Sequence, residues 1–116
     1  MYSPVEAMDA TTTLQFGVKT PQFQALPPIL NKVAMCESGG RQFNENGHVL
    51  RGVVNHKDVG LFQINEDYHL ASATYMGLNI YTEEGNRAYA LALYNSQGLA
   101  PWKASKYCWS KPSLGG

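Results

Sequence analysis

The chain has 116 residues, with nine basic against nine acidic, 44% hydrophobic and 16% charged. That length and balance suit one globular domain with a modest core. A formal net charge of zero supplies no field for nucleic acid, and no apolar run is long enough to span a membrane.

Residues 1–20, MYSPVEAMDATTTLQFGVKT, lack a basic start followed by an apolar core, so they do not read as a signal peptide. They are expected to form a linker or a loosely held arm, and residues 21–116 the single domain. Pro27 and Pro28 can open a helix, where a missing N–H costs nothing. Ile29, Val33 and Cys36 then recur at helical spacing, with Leu30 and Ala34 beside them, until Gly39 and Gly40 end the stripe.

The pattern changes after Gly40. Asn46–Gly47 is a two-residue hairpin signal between Phe43 and Val49–Leu50, and Val53–Val54 would extend a small sheet. In GLFQIN (60–65), one amide, Gln63, sits in an apolar run. Asn65 reads as the cap of a helix over 66–77, with acidic residues in its first turn and a closing glycine. A second helix, 82–98, opens on Thr82 with Glu83 and Glu84 near its positive end. Ala88, Leu91, Ala92 and Asn95 are expected to line one of its faces. A last short helix over 100–109 starts at Pro101 and places Trp102 and Trp109 on a shared face. The expected class is α+β and predominantly α, with a small antiparallel hairpin or three-stranded sheet near the front.

Cys36 and Cys108 are the two cysteines. A far-apart pair in a small domain suits one disulfide in an oxidising compartment; two buried thiols are the alternative. A closed bridge would stabilise by roughly 4–5 kcal/mol in the chain-entropy model. The cysteines have no C-x-x-C spacing, and His48, His56 and His69 have no metal-like spacing, so no metal and no cofactor are expected.

Glu37–Ser38 at a helix end, the hairpin signal, and DVGLFQIN (58–65) resemble the lysozyme-like superfamily, both its animal-type lysozymes and its specialised lytic transglycosylases. LALYNSQG (91–98) is similar to the later Tyr-Asn motif of soluble lytic transglycosylases, and PWKASKYCW (101–109) to the Trp-rich end of bacterial lysozyme-like domains. The resemblance covers roughly residues 25–109. It implies a lysozyme-like fold, a monomer acting on peptidoglycan strands, and a place in the cell envelope or outside the cell. The bond cut would be the β-1,4 link between N-acetylmuramic acid and N-acetylglucosamine. Two departures leave the subclass open. The stretch from Glu37 to Gln63 is long for a soluble transglycosylase, and Ser96–Gln97 stand where that family usually has Ala–Gly.

Such a reaction needs a carboxylic acid that is still protonated near neutral pH. Glu37, after an apolar stripe, is the candidate, because burial disfavours the charged form. Against this, a solvated glutamate near a helix end is the plain structural alternative. Asp58 is the candidate second carboxylate of a hydrolase, nucleophile or stabiliser, and equally a turn cap. A transglycosylase would instead use Glu37 alone, with the sugar's C6 hydroxyl attacking to leave a 1,6-anhydro end. The Tyr94–Asn95 motif leans towards that outcome. The resemblance makes Ser38, Gln63, Tyr94 and Asn95 substrate-binding, against helix-end, core-amide and packing roles. Tyr68, His69 and Tyr75 are further aromatic candidates for a cleft wall, with a core or rim position as the equal alternative. A non-catalytic glycan-binding module is the competing class.

Overall fold

The computed structural model describes residues 25–112. The arm expected over 1–20 lies outside them. The described part is α+β and mostly helical.

Helix α1 runs Pro28–Ser38, with Pro27 at its cap position and Pro28 in its first turn. Leu30, Val33 and Ala34 are buried, while Ile29 and Cys36 are only half-buried. Gly39 ends the helix in the left-handed region at φ 69°, and its N–H donates to the Met35 carbonyl at 3.0 Å.

The β element is smaller and differently turned than its sequence suggests. Phe43 and Val49 do bridge, but the loop between them runs 44–48 rather than through two residues. Asn44 organises it: its Oδ1 accepts the N–H groups of Asn46 (2.8 Å) and His48 (3.1 Å), and Gly47 alone takes the positive φ. Val53 and Val54 join no strand and stand 94% and 100% exposed at a loop tip. The chain instead returns through an Arg51–Val59 bridge into two short antiparallel strands, β1 (Asp58–Val59) and β2 (Ile64–Asn65).

Helix α2 spans Glu66–Tyr75, and Asn65 caps it as expected, its Oδ1 accepting the Tyr68 N–H at 3.1 Å. Helix α3 spans Glu83–Gln97, and Thr82 Oγ1 accepts the Gly85 N–H at 3.0 Å. Its buried face is Gly85, Asn86, Tyr89, Ala90 and Leu93, rotated away from the Ala88–Asn95 face; Ala88, Leu91 and Ala92 are half-buried and Asn95 is exposed. The reason is Asn86, a polar residue with 0% exposure that hides the stripe from a hydrophobicity pattern. Its Oδ1 accepts the Phe62 N–H at 2.8 Å, and its Nδ2 donates to the carbonyls of Val59 (3.0 Å) and Ile80 (2.9 Å). A second buried amide, Gln42, accepts the Leu61 N–H at 2.8 Å and donates to the Ile80 carbonyl at 3.2 Å. A loop buried at this depth needs such partners, because unpaired backbone groups away from water are costly.

The C-terminal stretch is a 3-10 segment, Ala100–Ser105, followed by helix α4, Lys106–Trp109; Trp102 breaks regular helix geometry inside the first of these at φ −113°. Both tryptophans are buried. Trp109 Nε1 donates to the Trp102 carbonyl and Trp102 Nε1 to the Phe62 carbonyl, each at 3.0 Å. Cys36 and Cys108 form a disulfide with Cα atoms 6.0 Å apart, tying α1 to α4. No helix among the described residues is long and apolar enough to cross a membrane.

Candidate active site

Glu37 sits in the last turn of α1, half-buried. Burial pushes its carboxyl above the ordinary value, because the charged form loses hydration. Ser105 works against that: its Oγ donates a 2.6 Å hydrogen bond to Glu37 Oε2 and favours the carboxylate. The charge of Asp58 adds a smaller upward push. The net direction is up, as a general acid requires.

Asp58 reaches the same place from the sheet. It pairs with Asn65 across β1 and β2, and opposed side chains on an antiparallel pair lie on one face. Asn65 Nδ2 accordingly donates to Asp58 Oδ1 at 3.0 Å. Glu37 and Asp58 line one cleft of about 360 Å³, within the size range of small-ligand sites. Gln63, Asn65, Tyr68 and His69 line it from the β side and α2, and Leu93, Gln97, Pro101 and Trp102 from the C-terminal half.

Gln63 is half-buried rather than a core amide; the fully buried amides are Gln42 and Asn86. It is the non-glycine residue with positive φ (51°) among the described residues. Its backbone N–H and its Nε2 both donate to the Gly60 carbonyl, each at 3.0 Å. A non-glycine residue held in that region is a local cost that surrounding structure must impose, and such residues gather at functional sites. His69 Nδ1 shares a 2.9 Å hydrogen bond with the Tyr89 hydroxyl, and burial holds its pKa below the ordinary value. Tyr68 stands 82% exposed at the rim. The hollow continues between α2 and α3 into a second space of about 390 Å³ that shares Tyr68, His69, Leu93 and Gln97 with the first.

The remaining sequence candidates lie elsewhere. The Ser38 hydroxyl donates to the Ala34 carbonyl at 3.0 Å and accepts the N–H groups of Gly40 and Arg41, so it closes the end of α1. Tyr94 packs at the edge of the core and Asn95 is exposed; neither lines the cleft. The face of α3 that does so carries Leu93 and Gln97, a rotation that follows from the buried Asn86–Tyr89–Leu93 stripe. In the sequence Gln97 stands out only as a departure from the transglycosylase motif, and Ser105 not at all. Gln97 extends that stripe by one turn, while Ser105 has no local signal. A separate apolar hollow of about 410 Å³, walled by Leu26, Leu78, Ala88 and Leu91, carries Glu84 and Arg87 as its charged groups and neither candidate carboxylate. Both candidate carboxylates thus lie in the Glu37 cleft and not in this separate hollow. No family model matches the chain, nor does any curated protein or solved structure.

Proposed function

We propose that the chain is a peptidoglycan glycosidase that cleaves the β-1,4 bond between N-acetylmuramic acid and N-acetylglucosamine. The observation that carries this reading is the pair of carboxyl groups in one cleft: half-buried Glu37, biased towards its protonated form, and Asp58, held by Asn65. The ordered motifs from Glu37 to Trp109 supply the substrate class by resemblance, and the disulfide suits an oxidising location such as the cell envelope or outside the cell.

Glu37 gives its proton to the glycosidic oxygen as the bond from that oxygen to the anomeric carbon breaks. Asp58 stabilises or traps the positive charge that develops at that carbon. Water then attacks the anomeric carbon, its hydroxyl going to the sugar and its proton returning to Glu37, and where Asp58 has bonded to that carbon the bond breaks and the carboxylate leaves. The lining position of Asp58 favours this hydrolytic course. Transglycosylation, in which the C6 hydroxyl replaces water, leaned on Tyr94 and Asn95, which lie off the cleft. Mass spectrometry of purified peptidoglycan after digestion tests both. Hydrolysis leaves reducing ends throughout, whereas products lighter by one water per cut mean that the transglycosylase course is right. Glu37→Gln is expected to abolish cleavage in either case. Binding without cleavage by the wild type across a range of pH would replace the enzyme reading with a glycan-binding module.

A further inference from the structure

Glu37 and Ser105 are 68 positions apart in the chain, yet they form one of the shortest side-chain hydrogen bonds in the site, 2.6 Å from Ser105 Oγ to Glu37 Oε2. The bond is bracketed covalently. Cys36 precedes Glu37, Cys108 lies one helical turn beyond Ser105, and the two are joined. On its other side the Ser105 hydroxyl is 3.2 Å from the Trp102 carbonyl, and Trp102 is anchored in the core through Phe62. The backbone that carries Ser105 is therefore held by two independent constraints, the disulfide three residues after it and the buried Trp102 indole three residues before it.

We infer that Ser105 is a positioning residue for Glu37: its hydroxyl fixes the orientation of the carboxyl group and stabilises the carboxylate left after proton transfer. This rests on Glu37 being the acid of the proposed reaction. A hydroxyl has one hydrogen to give. When Glu37 is a carboxylate, that hydrogen goes to Oε2; when Glu37 is the neutral acid, the hydroxyl has the Trp102 carbonyl at 3.2 Å as its other acceptor, and Oε1 is the carboxyl oxygen without a hydrogen-bond partner among the described residues. After proton transfer the same bond becomes charge-assisted and stabilises the carboxylate that must next act as a base. Ser105 thus tempers the upward push of burial without reversing it. The other ionisable groups around Glu37 are Asp58 on β1, Tyr68 and His69 on α2, and the exposed Lys103, Lys106 and Tyr107 on the segments that carry Ser105. None of these is altered by the substitutions that follow.

The test is a carbon-13 NMR titration of the Glu37 carboxyl in the disulfide-bonded wild type, in Ser105→Ala and in Ser105→Thr, alongside pH–rate profiles on peptidoglycan. In Ser105→Ala the Glu37 midpoint moves up, and the alkaline limb of the rate profile moves with it. The kcat falls about ten- to a hundredfold, the scale of a misaligned catalytic group. Ser105→Thr, which keeps the hydroxyl, restores both. An unmoved Glu37 midpoint in a folded Ser105→Ala protein would overturn the inference, as would a rate loss of the same size in Ser105→Thr. The titration needs no turnover, so a wild type that fails to cleave glycan would overturn the proposed function while the midpoint still decides whether Ser105 controls Glu37.

Discussion

Asn65 holds Asp58 with one end of its side chain and caps α2 with the other: Nδ2 donates to Asp58 Oδ1 at 3.0 Å, and Oδ1 accepts the Tyr68 N–H at 3.1 Å. One residue thus sets the aim of a candidate catalytic carboxylate and the start of the helix that walls the cleft. The two duties can be separated. Asn65→Ser keeps a good cap acceptor but lacks the amide donor, so unfolding free energy is expected to stay within about 1 kcal/mol of wild type while glycan cleavage falls. Asn65→Ala loses both, at about 1 kcal/mol for the cap alone. Urea unfolding and cleavage assays on the two variants read this directly. Equal activity in Asn65→Ser and wild type would show that the Asp58 contact is irrelevant to turnover.

Asp58 itself separates the two chemical courses. On the hydrolytic course Asp58→Asn removes the charge that stabilises the cationic centre, and cleavage should drop by at least about a hundredfold with folding intact. A variant that retained near-wild-type cleavage would leave Glu37 working alone, and its products should then be lighter by one water. Chromatography and mass spectrometry of the released muropeptides give both readouts in one experiment.

Gly60 is where the scaffold of the site leaves no room. It has φ +76°, and a Cβ there would lie 2.5 Å from Asn86 Nδ2 and 2.7 Å from the Gln42 amide. Gly60→Ala would therefore displace both amides that bind the 59–62 backbone, besides straining its own. The expected cost is about 3 kcal/mol or more by urea unfolding. Asn86→Leu should cost about as much, because it leaves the Phe62 N–H and the Val59 and Ile80 carbonyls with lost partners.

Two glutamates should give opposite pH dependences of stability. The folded value of Glu37 is raised, chiefly by burial. Its contribution is full below the unfolded carboxyl value and is lost as pH rises through the folded one. Glu66 is lowered, first by the hydrogen bond from Arg51 at 2.9 Å and then by that from Tyr81 at 2.6 Å. Its contribution is present above the unfolded value and is lost as pH falls through the folded one. Glu37→Gln should therefore gain thermal stability over wild type as pH rises from 4 towards 8. Glu66→Gln should lose stability at neutral pH and converge on wild type in acid. Melting curves across that range check both signs.

The helices were legible because their signals are local. Pro27–Pro28, the Asn65 and Thr82 caps, and Gly39 and Gly98 act on the turn they occupy. The site was half legible. Glu37, Asp58 and Gln63 meet in one cleft, and their pattern in sequence follows from the helix end and the β1–β2 turn that carry them. The rest depends on partners distant in the chain. Asn86 and Gln42 look like surface amides until the buried backbone they satisfy is known, and an inward Asn86 rotates α3 so that Gln97, not Tyr94 or Asn95, meets the cleft. Ser105 gains its meaning only from the disulfide that brings α4 to α1.

That disulfide gives the last prediction. Cys36 and Cys108 lie 72 positions apart, so breaking the bridge returns a long loop's freedom to the unfolded chain. The chain-entropy model puts the loss at about 4 kcal/mol, a large share of the roughly 5–15 kcal/mol by which such domains are stable. The double variant Cys36→Ser/Cys108→Ser should thus show a much lower urea midpoint with a similar slope. The effect on the site is separable. The hydrophobic seat of Trp109 and the Trp102–Phe62 contact remain to dock the C-terminal segment, so a fraction of the variant folds at low temperature. In that fraction the Glu37–Ser105 bond has lost one of its two constraints, and cleavage per folded molecule should fall below wild type while the Glu37 carboxyl titrates higher. Thiol reduction of the wild type should reproduce the same pair of changes, and re-oxidation should reverse them. Full activity per folded molecule after reduction would mean that the bridge serves stability alone.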